Sequence, residues 1–393
     1  MKKLGFVTPW FGEKIPGGAE MELRGLVEHL FQAGVELEVL TTCVKDFYSD
    51  WSKNYHKPGI DYVNRIPVRR FKARKRNKPL FDSINIKLMN QMPITPEEEE
   101  IFEREMVNSP DLYQYMREHK EDYALFIFIP YMFGTTYYGC QIAPEKSVLI
   151  PCFHDESYVY MEIFKAAFSK VAGVIYHAQP EYDLINGIYD MHSVKQAVLG
   201  EGVYTELTCN AQQAQEKFQL QAPFLLYAGR KDVGKNIYTL ITYFTEYKHR
   251  KKNDLQLVLI GGGQVEIPES VKDDVIDLGY VDIQDKYDIT AAATALCQPS
   301  KNESFSLVIM ESWLCGRPVI VNDACKVTKH FAKTSNGGFY FSNYFEFEAI
   351  VDYYLKHPDE SAIIGQQGRK FVLENFAWDV IVKRYMGFFK NLE

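Results

Sequence analysis

The chain is poor in the residues that staple or metallate a fold. Its seven cysteines are scattered at 43, 140, 152, 209, 297, 315 and 325, odd in number and without a C-x-x-C pair. That distribution argues against a disulfide framework or a structural zinc site and makes a reducing cytoplasm the expected setting. No run of eighteen apolar residues occurs, so no membrane-spanning helix is expected. The opening MKKLGFVTPWFG reaches Pro9 after a very short apolar run and reads as a first strand, where a secretory leader needs a longer one. Positive charge is not in excess. A formal net charge of −8 speaks against wholesale nucleic-acid binding, while leaving room for a local basic patch. No G-x-G-x-x-G follows the first strand, which removes the nicotinamide and flavin fingerprint from its usual place.

What is present is an alternation of strands and helices in a chain of 393 residues, too long for one ordinary core. Hydrophobic and charged fractions of 46% and 24% are those of a globular protein. LGFVTP, VELEVLTT, YALFIFI, SVLIPCF, VAGVIYHA and SVKQAVLG read as strands of a first half. FLLYAG, LQLVLIG, VIDLGYV, ATALCQPS and PVIVND read as strands of a second. Several are apolar throughout, as parallel strands covered on both faces are. Between Pro16 and Gly34, Ala19, Leu23, Leu26, Val27, Leu30 and Phe31 share one helical face, and Gly34 supplies the stop. The pattern predicts two doubly wound α/β domains in tandem, with a polar, glutamine-rich seam at 207–222 and ligands at the carboxyl ends of the strands. One segment departs from the alternation. Residues 65–78, RIPVRRFKARKRNK, carry eight basic side chains and no acidic one, and read as a loop. After it, Thr95, Pro96 and Glu98 open a helix with a capping box, and Ser109-Pro110-Asp111 opens another.

Three glycine-bearing turns could meet an anion. In LLYAGRKDVGKN, Arg230 and Lys235 flank a turn with Gly229 and Gly234, a pair of cations suited to a diphosphate but equally to a solvated turn. Gly261-Gly262-Gly263 ends a strand, and a tight turn needs glycine for steric reasons alone. Gly17 and Gly18 precede the first helix, whose amides could receive an anion. The segment NESFSLVIMESWLCGRPVIV then carries Glu303 and Glu311 eight positions apart, about 12 Å of helical rise. A helix beginning near 304–306 would set its N-terminal amides between two carboxylates, a layout matching ribose, diphosphate and hexose. Spacing alone leaves a second reading open, an acid favouring the helix dipole plus an inconsequential neighbour.

The motifs in combination resemble glycosyltransferase family 4. NESFSLVIMESWLCGRPVIV, with Pro299-Ser300 upstream, is similar to that family's E-x7-E signature. YAGRKDVGKN resembles its G-R-x(n)-K diphosphate segment, PGGAE its N-terminal glycine loop, LGYV its turn before the donor helix, and NFAWDVIVKRYMGFF its closing segment. The resemblance implies a GT-B fold, two doubly wound Rossmann-like domains facing across a deep cleft. It implies an acceptor-side domain over 1–209, a nucleotide-sugar domain over 210–377, and a helix over 378–393 returning to the first domain. It further implies that Arg230 and Lys235 neutralise the donor diphosphate with the backbone at Ser306 and Leu307. Glu311 would bind the ribose, Glu303 the donor sugar, and His154 would face the reacting sugar, with Gly17 and Gly18 completing the diphosphate site.

The sequence departs from the family at Ser306, which replaces a usual glycine, at His177, where many members have serine, and over 63–121, which is long and charged. HDESYVY and LGEGVYTEL are closer to bacterial polysaccharide-type members. No D-x-D triplet occurs, so a metal-bridged diphosphate is disfavoured and neither metal nor cofactor is expected. The activity implied is retaining transfer of a hexosyl group from a nucleotide-diphosphate sugar to a saccharide or lipid-linked saccharide acceptor. The expected setting is the cytoplasm, with peripheral contact at the inner face of an anionic membrane through 65–78 and no nucleic-acid partner. A nucleotide-sugar 2-epimerase of the same fold and a non-catalytic nucleotide-sugar binding protein are the alternatives.

Overall fold

The computed structural model describes residues 2–15 and 17–392. Contacts divide the chain into two compact units, residues 1–202 with 381–393, and residues 203–380. The first is built on strands β1 (Lys3–Thr8), β2 (Leu37–Thr42), β3 (Gly59–Val63), β4 (Ile66–Phe71), β5 (Tyr123–Phe128), β6 (Ser147–Leu149), β7 (Gly173–Tyr176) and β8 (Lys195–Val198). Their order is β3-β4-β2-β1-β5-β6-β7-β8, parallel except for the antiparallel β3–β4 pair. Helices α1 (Gly18–Gln32), α2 (Lys78–Met89), α3 (Pro96–Glu105), α4 (Pro110–His119), α5 (Gly134–Gly139), α6 (Glu162–Phe168) and α7 (Gln179–Ile188) complete it. The central strands β1, β2 and β5 are almost wholly buried, which is why they read as unbroken apolar runs.

The second unit holds α8 (Ala211–Phe218), β9 (Phe224–Ala228), α9 (Ile237–Arg250), β10 (Gln256–Ile260), β11 (Val275–Gly279), α10 (Ile283–Ala292) and β12 (Ala295–Gln298). It continues with α11 (Leu307–Leu314), β13 (Val319–Asn322), α12 (Lys326–Ser335), β14 (Gly338–Phe341), α13 (Tyr344–Lys356) and α14 (Pro358–Asn375). Its sheet runs β11-β10-β9-β12-β13-β14, all parallel. The last helix, α15 (Trp378–Lys390), belongs to the first unit from Ile381 onward, where Tyr385 donates from its hydroxyl to the Gly200 carbonyl at 3.0 Å. Among the described residues no helix is long and apolar enough to cross a membrane.

The basic segment is corrected by the structure. Residues 66–71 are a strand, not a loop, and pair with β3 through a turn at Asn64-Arg65, both at positive φ. Arg70 is buried and donates to the Phe11 carbonyl at 3.0 Å, while Arg69 pairs with Glu38 at 3.3 Å and Arg74 with Glu105 at 2.8 Å. Arg76 lies over the rings of Trp51 and Phe81, at 4.1 and 4.7 Å. Arginine at inward positions hid the period-two pattern of a strand. The strand β14 was also missed, and α8 occupies half of the stretch read as a seam. The capping box at Thr95 and Glu98 and the Ser109 cap both form.

Glu103 on α3 is fully buried, and neither carboxylate oxygen has a hydrogen-bond partner. Burial pushes its pKa well above the usual carboxylate range, so it stays protonated in the core. A carboxyl raised on folding contributes most below its unfolded value and loses that contribution as pH rises. Glu103→Met should therefore raise stability by about 1–3 kcal/mol at pH 8, with a smaller gain at pH 5. Urea denaturation at the two pH values checks both the sign and the trend.

Candidate functional site

In the second unit, β9 lies between β10 and β12, the point where strand order reverses and where open α/β sheets bind ligands. The carboxyl end of β9 leads into Gly229-Arg230, and that of β12 into Pro299 and the loop preceding α11. Backbone bonds stitch these turns together. Gly229 N donates to Ile260 O at 3.0 Å, Gly261 N to Gly279 O at 2.7 Å, and Lys231 N to Gly262 O at 2.7 Å. A Cβ on Gly261 would stand 2.2 Å from the Gly229 carbonyl oxygen, so glycine is required there by close backbone approach. Lys231 is buried with its ammonium 2.5 Å from Asp277.

Two of the residues singled out in the sequence meet directly. Lys235 Nζ lies 2.7 Å from Glu303 Oε1, and the Gln298 amide approaches the same oxygen at 3.4 Å. Asp232 accepts from Lys235 N at 2.9 Å and lies 3.5 Å from Arg230 Nε, so one carboxylate orders the turn bearing both cations. Asn236 Nδ2 donates to Pro299 O at 2.9 Å, fixing this turn against the end of β12. Glu311, on α11, is 2.5 Å from Lys286 Nζ on α10. Sequence reasoning missed Lys286, Lys231 and Asp277, because each acts through a contact distant in sequence, and Lys231, although inside YAGRKDVGKN, is not one of the residues that define that motif.

Helix α11 begins at Leu307 and its cap is Ser306, with φ 84° and ψ 77°. That backbone conformation is the physical reason a glycine suits the position, and Ser306 Oγ is buried without a hydrogen-bond partner. Ser306→Gly should stabilise the protein by roughly 1 kcal/mol by relieving the left-handed strain, less what glycine adds to unfolded-state entropy. Chemical denaturation of the two proteins measures it, and a loss of stability would deny the strain.

In the first unit, Gly17 precedes α1 and Gly18 is its first residue. The Glu20 carboxylate folds back so closely that a Cβ on Gly17 would stand 1.9 Å from Oε2, and Glu20 Oε1 also accepts from Trp10 Nε1 at 2.7 Å. His154 stands in the loop after β6, 30% exposed, with Nδ1 3.5 Å from Glu156. His177, at the end of β7, is fully buried. Its Nε2 is 2.6 Å from Glu22 Oε1, and its backbone N donates to Glu181 Oε2 at 2.7 Å. Glu181 also accepts from Phe153 N at 2.7 Å, which joins His177 to the strand-end loop bearing His154. Burial alone would lower the His177 pKa, but Glu22 foremost, then Glu181 and Glu201, raise it to about 10. Glu22, Cys152 and His177 place donor atoms within 4.8 Å of one another. The 2.6 Å contact between His177 Nε2 and Glu22 Oε1 is that of a buried ion pair.

Residues 210–371 match the family model described as glycosyl transferases group 1, a span containing Arg230, Lys235, Glu303 and Glu311. In fold the chain is similar to sucrose-phosphate synthase from Thermosynechococcus elongatus, with a TM-score of 0.72 at 17% identity, covering 100% of this chain and 99% of that one. The fold is GT-B. A second GT-B structure, HepE of Anabaena solved with UDP and glucose, superposes with a TM-score of 0.67 at 16% identity, covering all of both chains. The D-inositol 3-phosphate glycosyltransferase of Saccharomonospora viridis is 36% identical over 77 residues, 16% of this chain and 18% of that relative's length.

Proposed function

We propose that the protein is a retaining glycosyltransferase of the bacterial polysaccharide type in family 4. It moves a hexosyl group from a nucleotide-diphosphate sugar to a saccharide or lipid-linked saccharide acceptor, without a metal ion. The observation that carries this reading is the setting of α11. Glu303 precedes its N-terminus and Glu311 lies within it, each against a lysine, with Arg230 on the adjoining turn. Support comes from the group 1 match over this unit and from the UDP and glucose bound by HepE.

Cleaving the bond from an anomeric carbon to a diphosphate builds negative charge on the leaving group. Cations and helix amides fixed at that point lower the barrier without reorganisation. Arg230, Lys235 and the first amides of α11, at Ser306 and Leu307, supply them. As the diphosphate takes Lys235, Glu303 is released to accept hydrogen bonds from the sugar hydroxyls and to stabilise an oxocarbenium-like centre. Glu311, held against Lys286, accepts from the ribose hydroxyls. Retention then follows from front-face attack, with the leaving phosphate taking the acceptor proton. His154 is the proposed contact to the reacting sugar, and Gly17 with Gly18 the further contact to the diphosphate. A cytoplasmic setting with peripheral contact to an anionic membrane belongs to the same proposal, through the exposed Arg65, Lys72 and Lys75.

The test is transfer in EDTA from UDP-, GDP-, ADP- and dTDP-sugars, with the product's anomeric proton read by NMR. One nucleotide class should support transfer with the donor's anomeric configuration kept. Inversion, or abolition by EDTA, contradicts the proposal.

A further inference from the structure

We propose that Cys209 and Cys315 form a thiol–disulfide switch within the second unit, a modification site independent of the sugar chemistry. Cys209 is solvent-exposed in the segment before α8, and both its neighbours are tied to α10. The Thr208 carbonyl accepts from Gln284 Nε2 at 3.0 Å, and Asn210 N donates to Asp288 Oδ1 at 2.7 Å. Cys315, at the end of α11, donates its thiol to the Tyr287 carbonyl of α10 at 3.6 Å. Three anchors on one helix face thus set Cys209 and Cys315 beside the same stretch of α10, and the Cys209 thiol is among the groups that push the Cys315 thiol up. The Arg317 guanidinium faces both.

The oxidant is a low-molecular-weight disulfide such as oxidised glutathione. Cys209, the exposed thiol, loses its proton to solvent, attacks one glutathione sulfur and expels the other glutathione as a thiolate. Burial pushes the Cys315 thiol up, so it remains protonated until the second step. It then loses its proton and displaces glutathione from Cys209. One disulfide breaks, one forms, and two molecules of reduced glutathione leave. The new bond fastens residues 208–210 to the C-terminal end of α11, one turn beyond Glu311, with α10 held behind both.

The experiment exposes the full chain to oxidised glutathione, alkylates the remaining thiols and maps the peptides, with melting temperature measured in parallel. Wild type should yield a Cys209–Cys315 cross-linked peptide and a melting temperature raised by at least about 5 °C, both reversed by dithiothreitol. Cys209→Ser, a change at an exposed position, should give neither. Cys315→Ser should stop with glutathione on Cys209. A wild-type chain that stops at that adduct, pairs Cys209 with another cysteine, or cross-links without a thermal shift overturns the proposal.

Discussion

Lys235→Ala is expected to lower kcat/KM for sugar transfer by about 100- to 1000-fold, the loss that follows removal of one fixed donor facing a developing negative charge. Two effects combine in this residue. Its ammonium is the cation that stands against Glu303, at 2.7 Å, on the turn that also bears Arg230. Without it the diphosphate loses a counter-charge in the transition state, and Glu303 keeps an uncompensated carboxylate close to where the leaving group must sit. The loss should therefore appear chiefly in kcat. Lys235→Arg should recover part of it, since charge is kept while the point-like ammonium geometry is not. The side chain is 27% exposed, so melting temperature should change little, which separates a chemical effect from an unfolded one. A variant with unchanged kcat would remove Lys235 from the reaction.

The second large effect is on stability. His177→Leu is expected to cost about 3–5 kcal/mol, the usual penalty for stripping one partner from a buried ion pair. The imidazolium faces Glu22 from α1 and Glu181 from α7, with Glu201, Cys152 and Tyr385 in the same surroundings. Removing the cation leaves two carboxylates buried at 4% and 2% exposure. Adding Glu22→Leu to the single variant should restore part of the loss, as a double-mutant cycle would show. The sign of the pH dependence follows from the raised pKa. A histidine held at about 10 against an unfolded value of 6.5 stabilises fully below 6.5. That contribution is lost as pH rises from 6.5 through about 10. Glu181, raised by burial, acts in the same direction. Wild type should thus lose stability between pH 7 and 10, and His177→Leu should lose less over that range.

The strands that position the site were legible because they are apolar on both faces. FLLYA, QLVLI and ALCQ sit at the centre of a parallel sheet, and burial of both faces writes itself into composition. The turns were legible for a different reason. Gly261 and the Ser306 position answer to backbone geometry, which restricts residue type locally and leaves a motif. The hairpin of β3 and β4 was hidden because Arg70 points inward, its charge met by the Phe11 carbonyl and Asp61. Lys286 and Asp277 were beyond reach for a related reason: an ion pair formed between separate helices or strands carries no period and no spacing. The charge at His177 depends on Glu22, far away in sequence, and no local pattern announces it.

The measurement closest to the central claim is calorimetric titration of nucleotide-diphosphate sugars, in EDTA, into wild type and Glu311→Ala. The site described predicts binding of one nucleotide class to wild type and at least about tenfold weaker binding to the variant, the loss of roughly 1.4 kcal/mol that one charged hydrogen-bond acceptor supplies. The free nucleoside should show the same ratio, since Glu311 is assigned to the ribose. Equal affinity of the two proteins, or no binding by wild type until a metal is added, would contradict a donor site built on α11.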